Sequence, residues 1–257
     1  MKPKLEVCGV SYSYHSLEGE TLALSDISFT VKNGEFISIV GPSGCGKSTL
    51  LSLFGGLLEL AEGTILVDGI PVEKTDSNIG YMLQKDHLFE WRSIYNNASL
   101  GLEIQNKLDD KAKDRLHQML GLYGLSDFKD AHPSELSGGM RQRVALVRTL
   151  ALNPDLLLLD EPFSALDYQT RLAVCDDISS IIRETHKTAI LITHDLAEAV
   201  SVADRIIVLT KRPARIKTIL EIPFGEKYQR PLERRNSPDF STYFNRVWKE
   251  LQTDERI

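Results

Sequence analysis

The sequence has few cysteines, no long apolar run and no excess of positive charge. Three scattered cysteines among 257 residues, with no C-x-x-C pair, fit reduced thiols and offer no cysteine-based metal site. A net charge of −6 disfavours nucleic acid as a partner, and no apolar run approaches the roughly 18 residues of a membrane-spanning helix. The N-terminal residues lack the apolar core of a signal peptide, so we expect a cytoplasmic protein with an ordinary globular core.

One stretch stands out from this background. Residues 41–49 match G-x-x-x-x-G-K-[ST], the phosphate-binding loop. Its glycines let consecutive backbone N–H groups point at a triphosphate, Lys47 adds a mobile charge for the outer phosphates, and Ser48 offers a hydroxyl to Mg²⁺. A buried strand is predicted before the loop at 36–40, and a helix start after it at 49–54, which is the setting such a loop requires. The expected nucleotide-binding residues are Gly41, Pro42, Ser43, Gly44, Cys45, Gly46, Lys47, Ser48 and Thr49.

Cys45 allows two interpretations. The positive end of the following helix and Lys47 could lower the pKa of its thiol, or the cysteine is simply a small residue that fits the loop.

The order of predicted elements indicates an α/β fold. Residues 5–40 are expected to form antiparallel strands, with a turn from His15 to Glu20, a second strand at 24–31 and a tight turn at 32–35; further strands are predicted at 63–69 and 79–84. Helical spacing replaces strand signals over 86–152, notably at 111–122 and 144–152. Apolar strands at 156–159, 189–192 and 206–209 alternate with helices at 167–185 and 196–202, the pattern of a parallel sheet. An amphipathic helix is predicted around 243–251.

Two carboxylates follow the run of leucines that ends at Leu159. Parallel sheets bind ligands at the carboxyl ends of their strands, so Asp160 is placed to hold Mg²⁺ through water, beside Ser48. Glu161 would then lie next to the terminal phosphate, where it can polarise an attacking water.

A second glycine-containing helix start follows at residues 136–143, with the sequence LSGGMRQR. Ser137 is a natural N-cap, and Gly138 and Gly139 leave the first-turn N–H groups uncovered, so this is a second anion cradle. The string resembles the signature of the ATP-binding-cassette (ABC) ATPases. The phosphate loop, the Leu-Asp-Glu strand end and the signature occur in that family's order.

The resemblance covers residues 5 to about 220 and implies a P-loop NTPase (RecA-like) core with an antiparallel β subdomain and a helical insert. It implies that Gln84 reaches Mg²⁺ and the attacking water, that His194 contacts the terminal phosphate, and that Tyr14 stacks on adenine, with Tyr12 as the alternative. The loop Ser164-Ala165-Leu166-Asp167 resembles the one that communicates across the family's dimer. In that dimer, the phosphate loop of one copy faces Ser137 and Gly139 of the other.

The resemblance also implies a domain arrangement and partners. Residues 5–84 and 153–221 would form the nucleotide-binding core, 85–152 the helical insert and 222–257 a tail too short for a regulatory domain. The partners implied are a second copy of the chain, transmembrane permease subunits and, indirectly, a solute-binding protein, with the chain on the inner face of the cell membrane. Leu88, Phe89, Trp91 and Ile94 are interpreted either as part of the permease contact or as core of the insert.

Within the family, the segments Asp86 to Trp91, SGGMRQRVAL and Arg212 to Ile216 look like importers of nitrate, sulfonates and taurine. Glu90 stands where a proline is usual and Ala214 where a glycine is usual. The alternative classes are a cassette ATPase acting on nucleic acid or ribosomes, and a phosphate-loop kinase of small molecules. The first usually has two cassettes or long arms, and the second gives no role to the signature or to His194.

Overall fold

The computed structural model describes residues 2–16, 19–74, 79–164 and 166–252. It divides into two compact units. The phosphate-loop unit comprises Met1–Ser77 and Cys175–Ile257, and the signature unit comprises Asn78–Val174.

The strands are β1 (Leu5–Ser16), β2 (Gly19–Val31), β3 (Phe36–Val40), β4 (Glu62–Val67), β5 (Ile70–Pro71), β6 (Ile79–Met82), β7 (Leu156–Asp160), β8 (Thr188–Ile192), β9 (Arg205–Leu209) and β10 (Ile216–Glu221). The helices are α1 (Lys47–Phe54), α2 (Ile94–Ile104), α3 (Asp110–Leu122), α4 (Gly138–Ala151), α5 (Tyr168–Glu184), α6 (Leu196–Val202), α7 (Pro231–Arg235) and α8 (Phe240–Gln252). Single 3₁₀ turns lie at Val72–Lys74, Ser126–Phe128 and Pro133–Glu135.

The phosphate-loop unit contains an antiparallel sheet in the order β2-β1-β4-β5. The pairing of β1 with β2 continues to His15↔Glu20 and Ser16↔Gly19, so the predicted turn is too long and these four residues belong to the strands. The polar composition misled the prediction, because a hairpin is held by backbone hydrogen bonds and its solvent-exposed end needs no apolar side chains. Only Leu17 and Glu18, of the residues assigned to the turn, lie outside the described part of the chain.

The same unit also contains four strands in the order β10-β9-β3-β8. Strand β3 runs parallel to β8 and β9, with Ile37 opposite Ile190 and Arg205, while β10 is antiparallel to β9. Every residue of β3 and β8 is buried, which explains why these strands are almost wholly apolar. Helix α6 packs on β3 through an apolar cluster that includes Val40 and Val200. The predicted parallel α/β arrangement is confirmed.

The signature unit pairs β6 with β7 in parallel and is otherwise mainly helical. Its long helices begin at side-chain caps: Ser93 accepts from Asn96 N, Asp109 from Ala112 N and Ser137 from Met140 N. Strand β6 ends at Met82, two residues before the predicted end. The positions that follow it, Leu83 and Gln84, are solvent-exposed.

The C-terminal segment folds onto the phosphate-loop unit. Helix α8 begins at Phe240, three residues before the predicted start, and its Val247 is buried against Ile222 and the apolar face of α6. Within the described residues, no helix combines the length and apolar character of a membrane span. The proposed domain boundaries at 84/85, 152/153 and 221/222 stay predictions.

Candidate functional site

The phosphate loop connects β3 to α1 in a conformation that requires glycine. Gly46 has φ 123°, outside the range that other residues adopt readily. A Cβ on Gly46 would lie 2.9 Å from Leu24 Cδ2 and 3.3 Å from the Ala23 carbonyl oxygen. Gly44 has φ 70° and open space around it. The packing of Ala23 and Leu24 against the loop therefore leaves no room for a side chain at Gly46.

Two positively charged side chains, Lys47 and Arg212, donate hydrogen bonds to carbonyl groups of the loop. The buried Lys47 Nζ donates to the carbonyl oxygens of Gly41 and Pro42 at 2.9 Å each. Arg212, in the segment after β9, donates from Nη2 to Gly44 O at 2.7 Å. These contacts fix the loop around a positively charged side chain and the start of α1, an arrangement suited to an anion.

The Cys45 thiol is buried inside this loop. Burial raises the pKa of Cys45 above its ordinary value, and the nearby charge of Lys47 offsets this only in part. The idea of an activated thiolate is therefore wrong, and Cys45 is a small residue that fits beneath the loop.

Tyr14 and His194 lie at the ends of strands in the phosphate-loop unit. Tyr14 is 42% exposed, its hydroxyl is 2.9 Å from Thr49 Oγ1 on α1, and its ring forms a T-shaped pair with the Tyr12 ring at 5.1 Å between centroids. Tyr14 is thus more exposed than Tyr12, and the stacking of adenine on either ring stays a prediction. His194 is exposed between β8 and α6, and Ser43 and Ser48 are exposed on the phosphate loop and α1.

In the signature unit, Gln84 and Glu161 are brought together. Gln84 Nε2 donates to Glu161 Oε2 at 3.1 Å. The backbone of Glu161 has φ 47°, a left-handed conformation that costs a non-glycine residue about 1–3 kcal/mol. Its carbonyl oxygen accepts from Ser164 N and Oγ and from Gln142 Nε2, which holds the residue in this conformation. Asp160, immediately before it, is buried at the end of β7.

The signature cradle, residues 137–140, forms the first turn of α4 as expected. Ser137 is exposed, and its Oγ accepts from Met140 N at 3.3 Å. The nearest atom to a Cβ built on Gly138 is Arg141 Nη2 at 3.9 Å. Gly139 is half-buried in the same turn.

Sequence reasoning missed the residues that hold the segment from Gln84 to Trp91. Arg148 on α4 donates to the carbonyl oxygens of Asp86 and His87, at 2.7 and 2.9 Å, and Arg141 Nε donates to Asp86 Oδ2 at 3.0 Å. The two arginines are seven residues apart and so lie on one face of the helix, a spacing that could have identified them.

The apolar residues of this segment differ in their exposure. Leu88 and Ile94 are buried in the insert. Phe89 and Trp91 are exposed, Trp91 by 75%, and their rings lie 4.8 Å apart.

In the loop after Glu161, Ser164 is exposed and Leu166 is buried, while Ala165 lies outside the described residues. Asp167 accepts from Thr170 N at the start of α5, and the hydrogen bonds from Thr170 lower the pKa of Asp167.

The residues expected to hold Mg²⁺ supply suitable donors. Ser48 offers a hydroxyl oxygen, Asp160 a carboxylate and Gln84 an amide oxygen, and Mg²⁺ is a hard cation that binds oxygen. Within the described residues there is no cluster of three or more His, Cys, Asp or Glu side chains that could hold a metal ion. Magnesium is usually held by one or two carboxylates together with substrate phosphates, and this donor set fits that pattern.

Known proteins resemble this chain in sequence and in structure. The family model described as ABC transporter matches residues 24–164. An uncharacterised ABC transporter ATP-binding protein of Bacillus subtilis is 46% identical, covering 98% of this chain and 97% of its own length. An aliphatic sulfonates import ATP-binding protein of Bacillus licheniformis is 40% identical, covering 92% and 89%. A solved dimeric ATP-binding cassette, in a post-hydrolysis state with ADP and Pi, matches with TM-score 0.78 and 29% identity, covering 86% of this chain and all of that one.

Proposed function

We propose a function from the premise that this chain belongs to the ABC transporter family and is its ATP-binding, ATP-hydrolysing component. The chain works as a homodimer that drives the import of a small sulfonate-type ion. The observation that carries the catalytic part is Glu161. The backbone of Glu161 is held in a costly left-handed conformation, and its carboxylate oxygen accepts a hydrogen bond from Gln84. Strain of this kind persists where the surrounding contacts impose it, and it clusters at functional sites.

The chemistry assigns a role to each residue. The phosphate-loop N–H groups and Lys47 bind the phosphates, while Tyr14 stacks on the adenine. Ser48, Gln84 and Asp160 would hold Mg²⁺, which would neutralise charge on the phosphates. Glu161 accepts a proton from water as the water oxygen attacks the terminal phosphorus, and the bond to ADP breaks with its electron pair leaving on ADP. His194 contacts the terminal phosphate.

The homodimer follows from the second cradle. The Ser137 hydroxyl is exposed, Gly138 has room for an approaching group, and the first turn of α4 presents N–H groups. A solved cassette of the same family is dimeric with ADP and Pi bound, which supports the same assembly for this chain. Each nucleotide would lie between the phosphate loop of one copy and the signature cradle of its partner.

The exposed aromatic pair Phe89 and Trp91 is our candidate contact for the permease. The pair begins five residues after Gln84, and Arg141 and Arg148 hold the intervening backbone. Aromatic side chains exposed on an anchored segment are well suited to a protein interface. This contact would hold the subunit on the inner face of the membrane, with a separate solute-binding protein delivering the ion.

Glu161→Gln tests the catalytic assignment. The variant keeps the size and the contact to Gln84 but cannot accept a proton, so ATP turnover should fall by about 10²–10⁴-fold while ATP still binds. Closed dimers should accumulate, as measured by size-exclusion chromatography with ATP. Glu184→Gln, on the exposed end of α5, is the matched control and should hydrolyse ATP normally. Normal turnover by Glu161→Gln would remove Glu161 as the base.

Mixed dimers test the shared site. Lys47→Ala and Ser137→Arg should each be inactive alone. In a mixture, a head-to-tail dimer pairs the intact phosphate loop of one subunit with the intact cradle of the other, so partial ATPase activity should return. If each chain used only its own loop and cradle, mixing would restore nothing.

The solute class can be tested by growth. Deleting the gene should abolish growth on an aliphatic sulfonate or taurine as sole sulfur source, and the wild-type gene, but not Glu161→Gln, should restore it. Growth defects confined to nitrate as nitrogen source would move the assignment to that ion.

A further inference from the structure

The C-terminal helices cover α6, the short helix that begins immediately after His194 and Asp195. Val247 of α8 is fully buried in the apolar cluster formed with Leu196, Val200 and Ile222. Phe240, Tyr243 and Phe244, all on α8, pack against the same cluster. The C-terminal helix α8 thus packs directly against α6.

Arg234, on α7, binds the far end of α6. Its side chain is 7% exposed, and its Nη1 donates to the carbonyl oxygen of Ala203 at 2.9 Å and to that of Ser201 at 3.4 Å. The last carbonyls of a helix lack partners within the helix and carry partial negative charge, so a guanidinium stabilises them. Phe224 lies under the guanidinium, 5.1 Å from ring centroid to Cζ.

Arg183 and Asp204 complete this end of the helix. Arg183 Nη2 donates to Val202 O at 2.8 Å and to Asp204 Oδ1 at 2.9 Å. Arg234 Nη2 lies 3.6 Å from the same carboxylate oxygen. Burial, together with the charge of Arg183, lowers the pKa of Arg234 to about 10, so the side chain stays charged at neutral pH.

The near end of α6 is fixed as firmly. Asp195 Oδ1 accepts from the N–H groups of Ala197 and Glu198, at 2.9 and 3.1 Å. The Asp195 N–H donates to Thr193 Oγ1 at 3.0 Å, and Thr193 Oγ1 also bonds to the Glu198 carboxylate. His194 lies between these two anchored residues, so its backbone position depends on where α6 lies as well as on the end of β8.

We propose that Arg234 is a positioning residue for His194, acting through α6. The inference rests on the proposed role of His194 at the terminal phosphate. A seven-residue helix is about 10 Å long and too short to bend, so a shift of its capped end moves its first turn as well. The tail, which the sequence left without a role, thereby sets the geometry of a group in the ATP site.

The test is a double-mutant cycle on the full-length protein. Arg234→Met keeps the apolar stem and removes the bonds to Ser201 and Ala203. We expect its kcat to fall by about 2- to 30-fold, the range of measured couplings, with the KM for ATP changed less than about twofold. In a His194→Ala background, Arg234→Met should lower kcat no further. Arg246→Met, on the exposed face of α8, is the control and should match the wild type.

A purely structural role gives different results. A reduced melting temperature with normal kcat per folded subunit, or an equal loss of kcat in both His194 backgrounds, would overturn the inference. Arg234→Lys keeps the charge but loses the paired N–H donors of the guanidinium, so it provides a second variant should Arg234→Met not fold. Its loss of kcat must also disappear in the His194→Ala background. If His194→Ala alone leaves kcat unchanged, the inference fails, while the wider proposal is still judged by Glu161→Gln.

Discussion

The molecule has two anion cradles that use glycine for different reasons. In the phosphate loop, a Cβ on Gly46 would strike Leu24 and the Ala23 carbonyl, and φ 123° disfavours any other residue. In the signature cradle, Gly138 has only Arg141 Nη2 near its missing Cβ, at 3.9 Å, among the residues described.

The difference shows where each requirement comes from. The chain's own packing demands Gly46. Folding does not demand Gly138, because an alanine in the first turn of α4 would be a better helix former. A glycine kept against helix propensity is expected where another group approaches the backbone closely. The first cradle is therefore constrained by its own chain, whereas no contact among the described residues requires the glycine of the second.

Lys47→Ala gives the largest expected effect on the first cradle. The ammonium makes charge-assisted hydrogen bonds, each contributing about 1.5–3 kcal/mol, so nucleotide affinity should fall by roughly 10- to 100-fold. Titration calorimetry with ATP measures this, and the exposed Lys129→Ala is the control. Unchanged affinity would remove Lys47 from the phosphate site.

Gly46→Ala and Gly138→Ala test the contrast directly. Gly46→Ala should destabilise the fold by about 1–3 kcal/mol, because it combines a strained φ with a steric clash. Gly138→Ala should leave unfolding by urea unchanged or shifted slightly upward, yet lower ATPase activity by about tenfold or more, as a barrier increase of about 1.4 kcal/mol would do. Equal destabilisation by both substitutions would break the comparison.

Cysteine labelling is expected to show the smallest effect. It tests whether the thiol of Cys45 is accessible in the native phosphate loop. Burial raises the pKa of both Cys45 and Cys175 above the ordinary value of 9.0, whereas Cys8 is exposed. At pH 8, iodoacetamide should label Cys8 alone in the native protein and all three thiols in urea, as counted by intact mass. Labelling of Cys45 as fast as Cys8 would show that the loop opens readily.

The same shift makes stability depend on pH. A thiol with a raised pKa in the folded state contributes stability that is complete below the unfolded value and is lost as pH rises through the folded value. The free energy of unfolding should therefore decline above about pH 9. Cys45→Ala should reduce that decline, provided that Cys175 is left intact.

Local patterns predicted most of this fold. The parallel strands were found because strands buried on both faces are almost wholly apolar, and α6 was predicted with its observed bounds. The hairpin end at His15 and Glu20 was missed because backbone pairing leaves no apolar signature there. The family resemblance assigned Gln84 to the attacking water that Glu161 was expected to polarise, and the two side chains are hydrogen-bonded.

Contacts between residues that are far apart in the sequence could not be predicted from composition. Nothing near Arg234 in the sequence indicates that its guanidinium caps α6, 31 residues earlier at Ala203. The sequence left two interpretations of Cys45 open for a similar reason: the charges are visible in the sequence, but the burial that outweighs them is a property of the fold.

The grip of α4 on Asp86 and His87 has a mechanical consequence. One rigid helix carries the signature cradle on its first turn and, through Arg141 and Arg148, holds the backbone that leads to Trp91. We therefore expect a displacement of the aromatic pair to move the signature cradle as well, because both are attached to the same helix.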